Sequence, residues 1–119
     1  MHHTAEHRSA AMDECIDNCT QCHQICIETA SYCLSMGGKH AAADHIGLLQ
    51  TCAEICATDV AAMLRGTAVH PAICGACAEV CAACAASCET FGDDDAMKRC
   101  AEICRRCEKS CRAMAGMAK

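Results

Sequence analysis

Along four stretches of the chain the inward-facing residues return every three or four positions, the period of an amphipathic helix, and the returning residue is mostly cysteine. The spacing C-x3-C-x2-C-x3-C occurs at Cys15, Cys19, Cys22 and Cys26, at Cys77, Cys81, Cys84 and Cys88, and at Cys100, Cys104, Cys107 and Cys111. Intervals of four and three residues hold each set of sulfurs within a stripe roughly 60° wide on one helix face. A shorter row stands at Cys52 and Cys56, and Cys33 continues the first row past Cys26. One template recurs once per helix: Cys22-His-Gln-Ile-Cys26, Cys52-Ala-Glu-Ile-Cys56, Cys77-Ala-Glu-Val-Cys81 and Cys100-Ala-Glu-Ile-Cys104. Its polar residue, Glu54, Glu79 or Glu102, falls about 200° from the first cysteine and faces water, while the Ile or Val seals a seam.

Punctuation separates four helices. Gly37-Gly38 ends the first, Gly66 the second, Pro71 opens the third, Phe91-Gly92 closes it, and Asp93 to Asp95 cap the fourth. The predicted spans are 5–36, 40–65, 71–91 and 94–115. Short connections favour antiparallel neighbours. The expected fold is all-α, an antiparallel up-down-up-down four-helix bundle with a cysteine-lined core, in one domain over 1–119 with flexible ends at 1–4 and 116–119. The turns after the first and third helices then share one end.

Composition sharpens this reading. The 119 residues include 16 cysteines and only two aromatics besides histidine, Tyr32 and Phe91, so an ordinary oily core is undersupplied. A net charge of −5 argues against nucleic acid or an anionic membrane as the main partner and favours cations. No uninterrupted apolar run approaches the roughly 18 residues of a membrane span. The first eleven residues, with His2, His3, Glu6, His7 and Arg8, carry no signal-peptide pattern, from which a cytoplasmic location is expected. In a reducing compartment, dense cysteine reads as metal ligation rather than as a disulfide framework.

The spacing also speaks to which metal. Four ligands on successive helical turns spread over about 16 Å of axis, so they line a channel rather than converge on a point. Iron–sulfur sites gather thiolates from compact loop runs, and no such run occurs. Zinc, in closed sets of four, is chemically allowed, yet a continuous row exceeds what it needs. Cu(I) is soft, takes two or three thiolates and lets each bridge, which gives on the order of one ion per cysteine. Each monovalent ion replaces about one thiol proton, so the interior stays nearly neutral. Packing alone is a poor account of the stripes, because thiols and alanines give up volume that leucine would fill.

With its rows of cysteines on four helices and its C-x-E-[IV]-C repeats, the chain resembles the bacterial copper storage proteins in their cytosolic form. The resemblance covers about residues 15–111. It implies a four-helix bundle filled with Cu(I)–thiolate clusters, homotetramer assembly, storage that guards against toxicity or keeps a reserve, and an entrance at the end bearing the first inter-helix turn. The expected ligands are Cys15, Cys19, Cys22, Cys26, Cys33, Cys52, Cys56, Cys74, Cys77, Cys81, Cys84, Cys88, Cys100, Cys104, Cys107 and Cys111, joined by Met36 and His45.

Methionine and histidine extend the stripes at both ends. Cys33, Met36, His40, His45 and Met97 are expected to form a mouth where weaker thioether and imidazole donors hand copper inward. For Met36 and His45, ligation and plain packing stand as equal readings; His40 is expected at the surface. Met12, Met63, His70 and Met114 read as a hydrophobic plug at the other end. Asp59, in phase with Cys52, is either a polar break in the row or a helix-interface partner. His23 is expected to face a neighbouring helix or solvent. No phosphate loop, H-E-x-x-H or nucleophile with its base stands out, so no catalysis is expected. The competing readings are a redox protein with a metal cluster or cysteine pairs, and a zinc-stabilised interaction domain.

Overall fold

The computed structural model describes residues 8–116. Four helices run in sequence order: α1 (Ala10–Met36), α2 (Ala43–Arg65), α3 (His70–Glu89) and α4 (Asp95–Gly116), with a single 3-10 turn, Gly38–Ala41, between the first two. Each helix packs its backbone against its two neighbours around a square, and diagonal helices meet through side chains across the core, as Cys22 does with Cys81 and Asp59 with Cys111. The result is an up-down-up-down bundle, a rod of 48 × 20 × 18 Å.

Local chemistry sets the boundaries. The Ser9 hydroxyl accepts a hydrogen bond from the Met12 amide at 3.1 Å, so α1 begins at Ala10 rather than at the expected residue 5. Gly37 and Gly38 both have positive φ, 71° and 56°, which ends α1 and lets the chain fold into the 3-10 turn before α2 starts at Ala43. At the C-terminus of α2, Gly66 is left-handed, and the amides of Gly66 and Thr67 bond back to Met63 and Ala62. Of the three aspartates before α4, Asp94 is the cap: its Oδ1 accepts the Met97 amide at 3.1 Å.

All sixteen cysteines face the interior as free, buried thiols. Alanines fill the space between the rows, with Ala78, Ala85 and Ala101 buried along the α3–α4 seam. A Cβ on Gly75 would sit 3.7 Å from that of Ala115, so these helices approach closely. Glu54, Glu79 and Glu102 lie exposed, and Ile55, Val80 and Ile103 pack half-buried at the seams, as the template predicts. By length and composition alone α2 and α3 are each long and apolar enough to cross a bilayer, although neither is an uninterrupted apolar run. Much of that apolar character comes from the cysteines and alanines turned toward the other helices.

Candidate metal centre

The thiols come together as overlapping quartets. Cys26, Cys84, Cys100 and Cys104 form one whose sulfurs all lie within 4.8 Å of one another; Cys22, Cys26, Cys52 and Cys104 form the next. Cys22, Cys52, Cys56 and Cys81 follow, then Cys56, Cys77, Cys81 and Cys107, then Cys19, Cys77, Cys107 and Cys111. Each quartet shares two cysteines with the one after it. The row is therefore a ladder of edge-sharing sites drawn from all four helices. Cys33 and Cys88 lie beyond it toward one end, and Cys15 and Cys74 toward the other.

Distances within the ladder fall just short of those a bound metal sets, so the sulfurs need only spread slightly to take one. Sulfurs of Cys22 and Cys52 are 3.6 Å apart, Cys22 and Cys104 3.7 Å, Cys56 and Cys77 3.7 Å, and Cys19 and Cys107 3.5 Å. A metal–thiolate bond of about 2.3 Å requires sulfurs about 3.8–4.0 Å apart in trigonal or tetrahedral geometry. Closed zinc sites would each own their four ligands, whereas these share edges, which calls for bridging thiolates.

Burial opposes ionisation of the whole set, and S–H groups on α4 oppose burial locally. Hydrogen bonds from Cys104 pull Cys22, Cys52 and Cys100 down, while Cys104 itself is pushed well up.

At the end bearing the turns after α1 and α3, the donors change. His45, on α2, is 4% exposed, with Nε2 3.4 Å from Cys33 Sγ and Nδ1 2.7 Å from Ser87 Oγ. Cys33 Sγ lies 3.9 Å from Met97 Sδ, and both residues are fully buried. Burial lowers His45 from the usual imidazole value and raises the Cys33 thiol to about 11. The structure thus joins Cys33, His45 and Met97 in one mixed sulfur–nitrogen group. Met36 does not join them: as the last residue of α1 it projects past the end of the bundle and is 53% exposed.

His40, expected at the surface, is half-buried at this end. Its Nε2 lies 2.8 Å from Asp94 Oδ2, and its ring packs 4.5 Å from that of Phe91, which in turn lies 4.7 Å from His45. The Tyr32 hydroxyl donates to the same Asp94 oxygen at 2.9 Å. These bonds, from His40 first, hold the Asp94 carboxyl down at about 2. Sequence reasoning missed Tyr32, Ser87 and Asp94 here. The only available signal was that the chain's two aromatics lie near turns sharing one end.

At the other end Met12, Met63 and Met114 are buried with His70, as the plug reading expects. Asp59 answers to both of its readings, a polar member of the row that bonds to three other helices. Fully buried, it accepts S–H bonds from Cys74 at 3.1 Å, Cys111 at 3.5 Å and Cys19 at 3.7 Å, so it belongs to the sulfur row as an oxygen member. Burial pushes its carboxyl up to about 6 against the help of those bonds. His23 faces α2, its Nδ1 2.7 Å from the Ala53 carbonyl oxygen. His2, His3 and His7 lie outside the described residues.

A family model described as copper storage protein matches residues 8–116. A crystal structure from Nitrosospira multiformis is 45% identical, with a TM-score of 0.84, covering 90% of this chain and 96% of that one. The Cu(I)-bound copper storage protein BsCsp3 is 34% identical at a TM-score of 0.82, covering 88% and 98%. A cytosolic copper storage protein from Streptomyces lividans, solved with five coppers, is 35% identical at a TM-score of 0.83, covering 89% and 92%.

Proposed function

The chain belongs to the copper storage protein family, and from that premise we propose that its sulfur ladder holds Cu(I) at close to one ion per cysteine. It stores copper as thiolate clusters inside the bundle. The observation that carries this reading is the sharing of edges between successive quartets, because an ion bound in one quartet leaves bridging thiolates already placed for the next. Each arriving ion displaces about one proton from a neutral thiol, so the buried charge stays small as the ladder fills. The proposed ligands are the sixteen cysteines, with His45 at the end of the row.

Copper enters beside the turns after α1 and α3. Support comes from the donor gradient at that end: thioether and imidazole at Met97 and His45 bind Cu(I) more weakly than the thiolates further in, so an ion caught there moves inward downhill. Met36 offers an exposed thioether just outside. The protein works in the cytosol, without catalytic turnover, and as a homotetramer, as the family resemblance implies; exposed Ile27 and Leu34 on α1 give an assembly apolar surface to use.

Anaerobic titration against a chromophoric Cu(I) chelator tests the storage reading. Saturation near one ion per cysteine is expected, and saturation at one or two ions per chain would overturn it.

A further inference from the structure

The donors at the proposed entrance are shut away from solvent. Cys33 and Met97 are fully buried and His45 nearly so, beneath the Phe91 ring and the 3-10 turn that carries His40. A few polar contacts, together with the Phe91 ring lying between His40 and His45, hold this cover. Lys39 Nζ donates to the Thr90 carbonyl at 2.8 Å and sits 4.5 Å over the Phe91 ring, while His40 and Tyr32 meet on Asp94 Oδ2. Both strands of the cover start from glycines with positive φ, Gly37 and Gly38 on one side and Gly92 on the other. A Cβ at any of the three would meet nothing within 4 Å, so these backbone positions are not wedged by packing. The opposite end differs in kind, because Met12, Met63 and Met114 close it with buried side chains from three helices.

We propose that the 38–41 turn and the Phe91 ring form a gate over the Cys33–His45–Met97 group, with Asp94 as the latch that Tyr32 and His40 hold shut. The inference rests on the reading that copper enters at this end. Segments joined by a few polar bonds at a chain turn open at far lower cost than a packed core. The latch bonds at Asp94 Oδ2 go to Tyr32 and His40 and to none of the proposed copper donors, so the latch draws no strength from bound copper. Opening then governs passage in both directions, and a weaker latch speeds uptake and removal by one common factor while leaving affinity and capacity alone. Without the gate the ladder would exchange copper with any competing thiol that touched its end.

The test uses the full chain and measures the anaerobic rate of Cu(I) uptake from a chromophoric chelator, and the rate of removal by excess chelator. Tyr32→Phe deletes one hydroxyl, and Asp94→Asn weakens the His40 contact while keeping an oxygen for the Met97 cap. A lost hydrogen bond to a charged acceptor at a partly exposed site predicts about a tenfold rise in both rates, or about 1.4 kcal/mol. Phe91→Ala should act in the same direction, with circular dichroism confirming that helix content is kept. Unchanged rates in all three variants, while His45→Ala slows uptake, would overturn the gate and leave the entrance standing. Faster exchange in Met63→Ala or Met114→Ala, with no response at the first-turn end, would overturn both. A rise in removal alone, with lower affinity, would show that these residues hold copper rather than a gate.

Discussion

Among single residues Asp59 is the least ordinary, a carboxylate in a thiol core with three S–H donors and no ion-pair partner among the described residues. Its pKa rises from 3.8 to about 6, so in that window the folded protein binds a proton the unfolded chain has lost. The contribution of Asp59 to the stability of the empty, reduced protein should therefore be greatest below about pH 4, fall as pH rises to about 6, and level off above, while Asp94, held down, works the other way below about pH 4. His45, lowered by burial, acts in the opposite sense just under its ordinary value, so the clean measurement is the difference from Asp59→Asn in urea unfolding across that range. If wild type and Asp59→Asn keep a constant difference from pH 4 to 6, the carboxyl does not titrate there. A second residue-scale outcome follows from shared edges. Cys22 serves two quartets, yet Cys22→Ser should lower Cu(I) capacity by about one ion rather than by a whole site of four ligands, since its neighbours still bridge. The sequence placed Asp59 in the row by phase alone. It could not choose a role, because the partners come from α1, α3 and α4, far away along the chain.

Among elements, the helices were legible because their signals are local. Cysteine at steps of three and four, Pro71 at the start of α3 and Gly66 past the end of α2 each fix a face or a boundary without tertiary help. The connection between α1 and α2 was less so. Two glycines mark a stop, and whether the chain then enters a 3-10 turn depends on Lys39 and His40 finding Thr90 and Asp94 across the bundle end. The start of α1 was overrun because apolar phase continues back from Cys15, whereas the Ser9 hydroxyl decides where the first amides are satisfied. Removing that cap in Ser9→Ala should cost about 1 kcal/mol of stability, read as a lower urea midpoint with unchanged slope. Gly66→Ala should cost a similar amount, about 1 kcal/mol, because its φ of 68° disfavours a Cβ.

For the whole molecule, the bundle stands without metal on capped helices, short turns and sixteen buried, unbridged cysteines that pack as small apolar groups. Chelator-stripped protein should keep most of its far-ultraviolet helical signal, in contrast to a zinc-stabilised domain, which unfolds when its metal leaves. Copper binds the folded form alone in this register, so the urea midpoint should rise with each equivalent added until the ladder is full. A midpoint independent of copper would contradict binding inside the bundle. Fold class and the thiol face could be read from sequence because both depend on periodicity. The order in which sulfurs from different helices meet, and the cover over one end, depend on helix register and on polar contacts between turns.

The edge-sharing arrangement has a consequence for how such a protein changes size. Within each C-x3-C-x2-C-x3-C row a heptad carries two sulfurs on its inward stripe, so lengthening all four helices by seven residues of that pattern repeats the lattice without disturbing the sites on either side. Holding power therefore grows by elongation, in steps of helical turns, with the rod's thickness and its two stoppered tips left as they are.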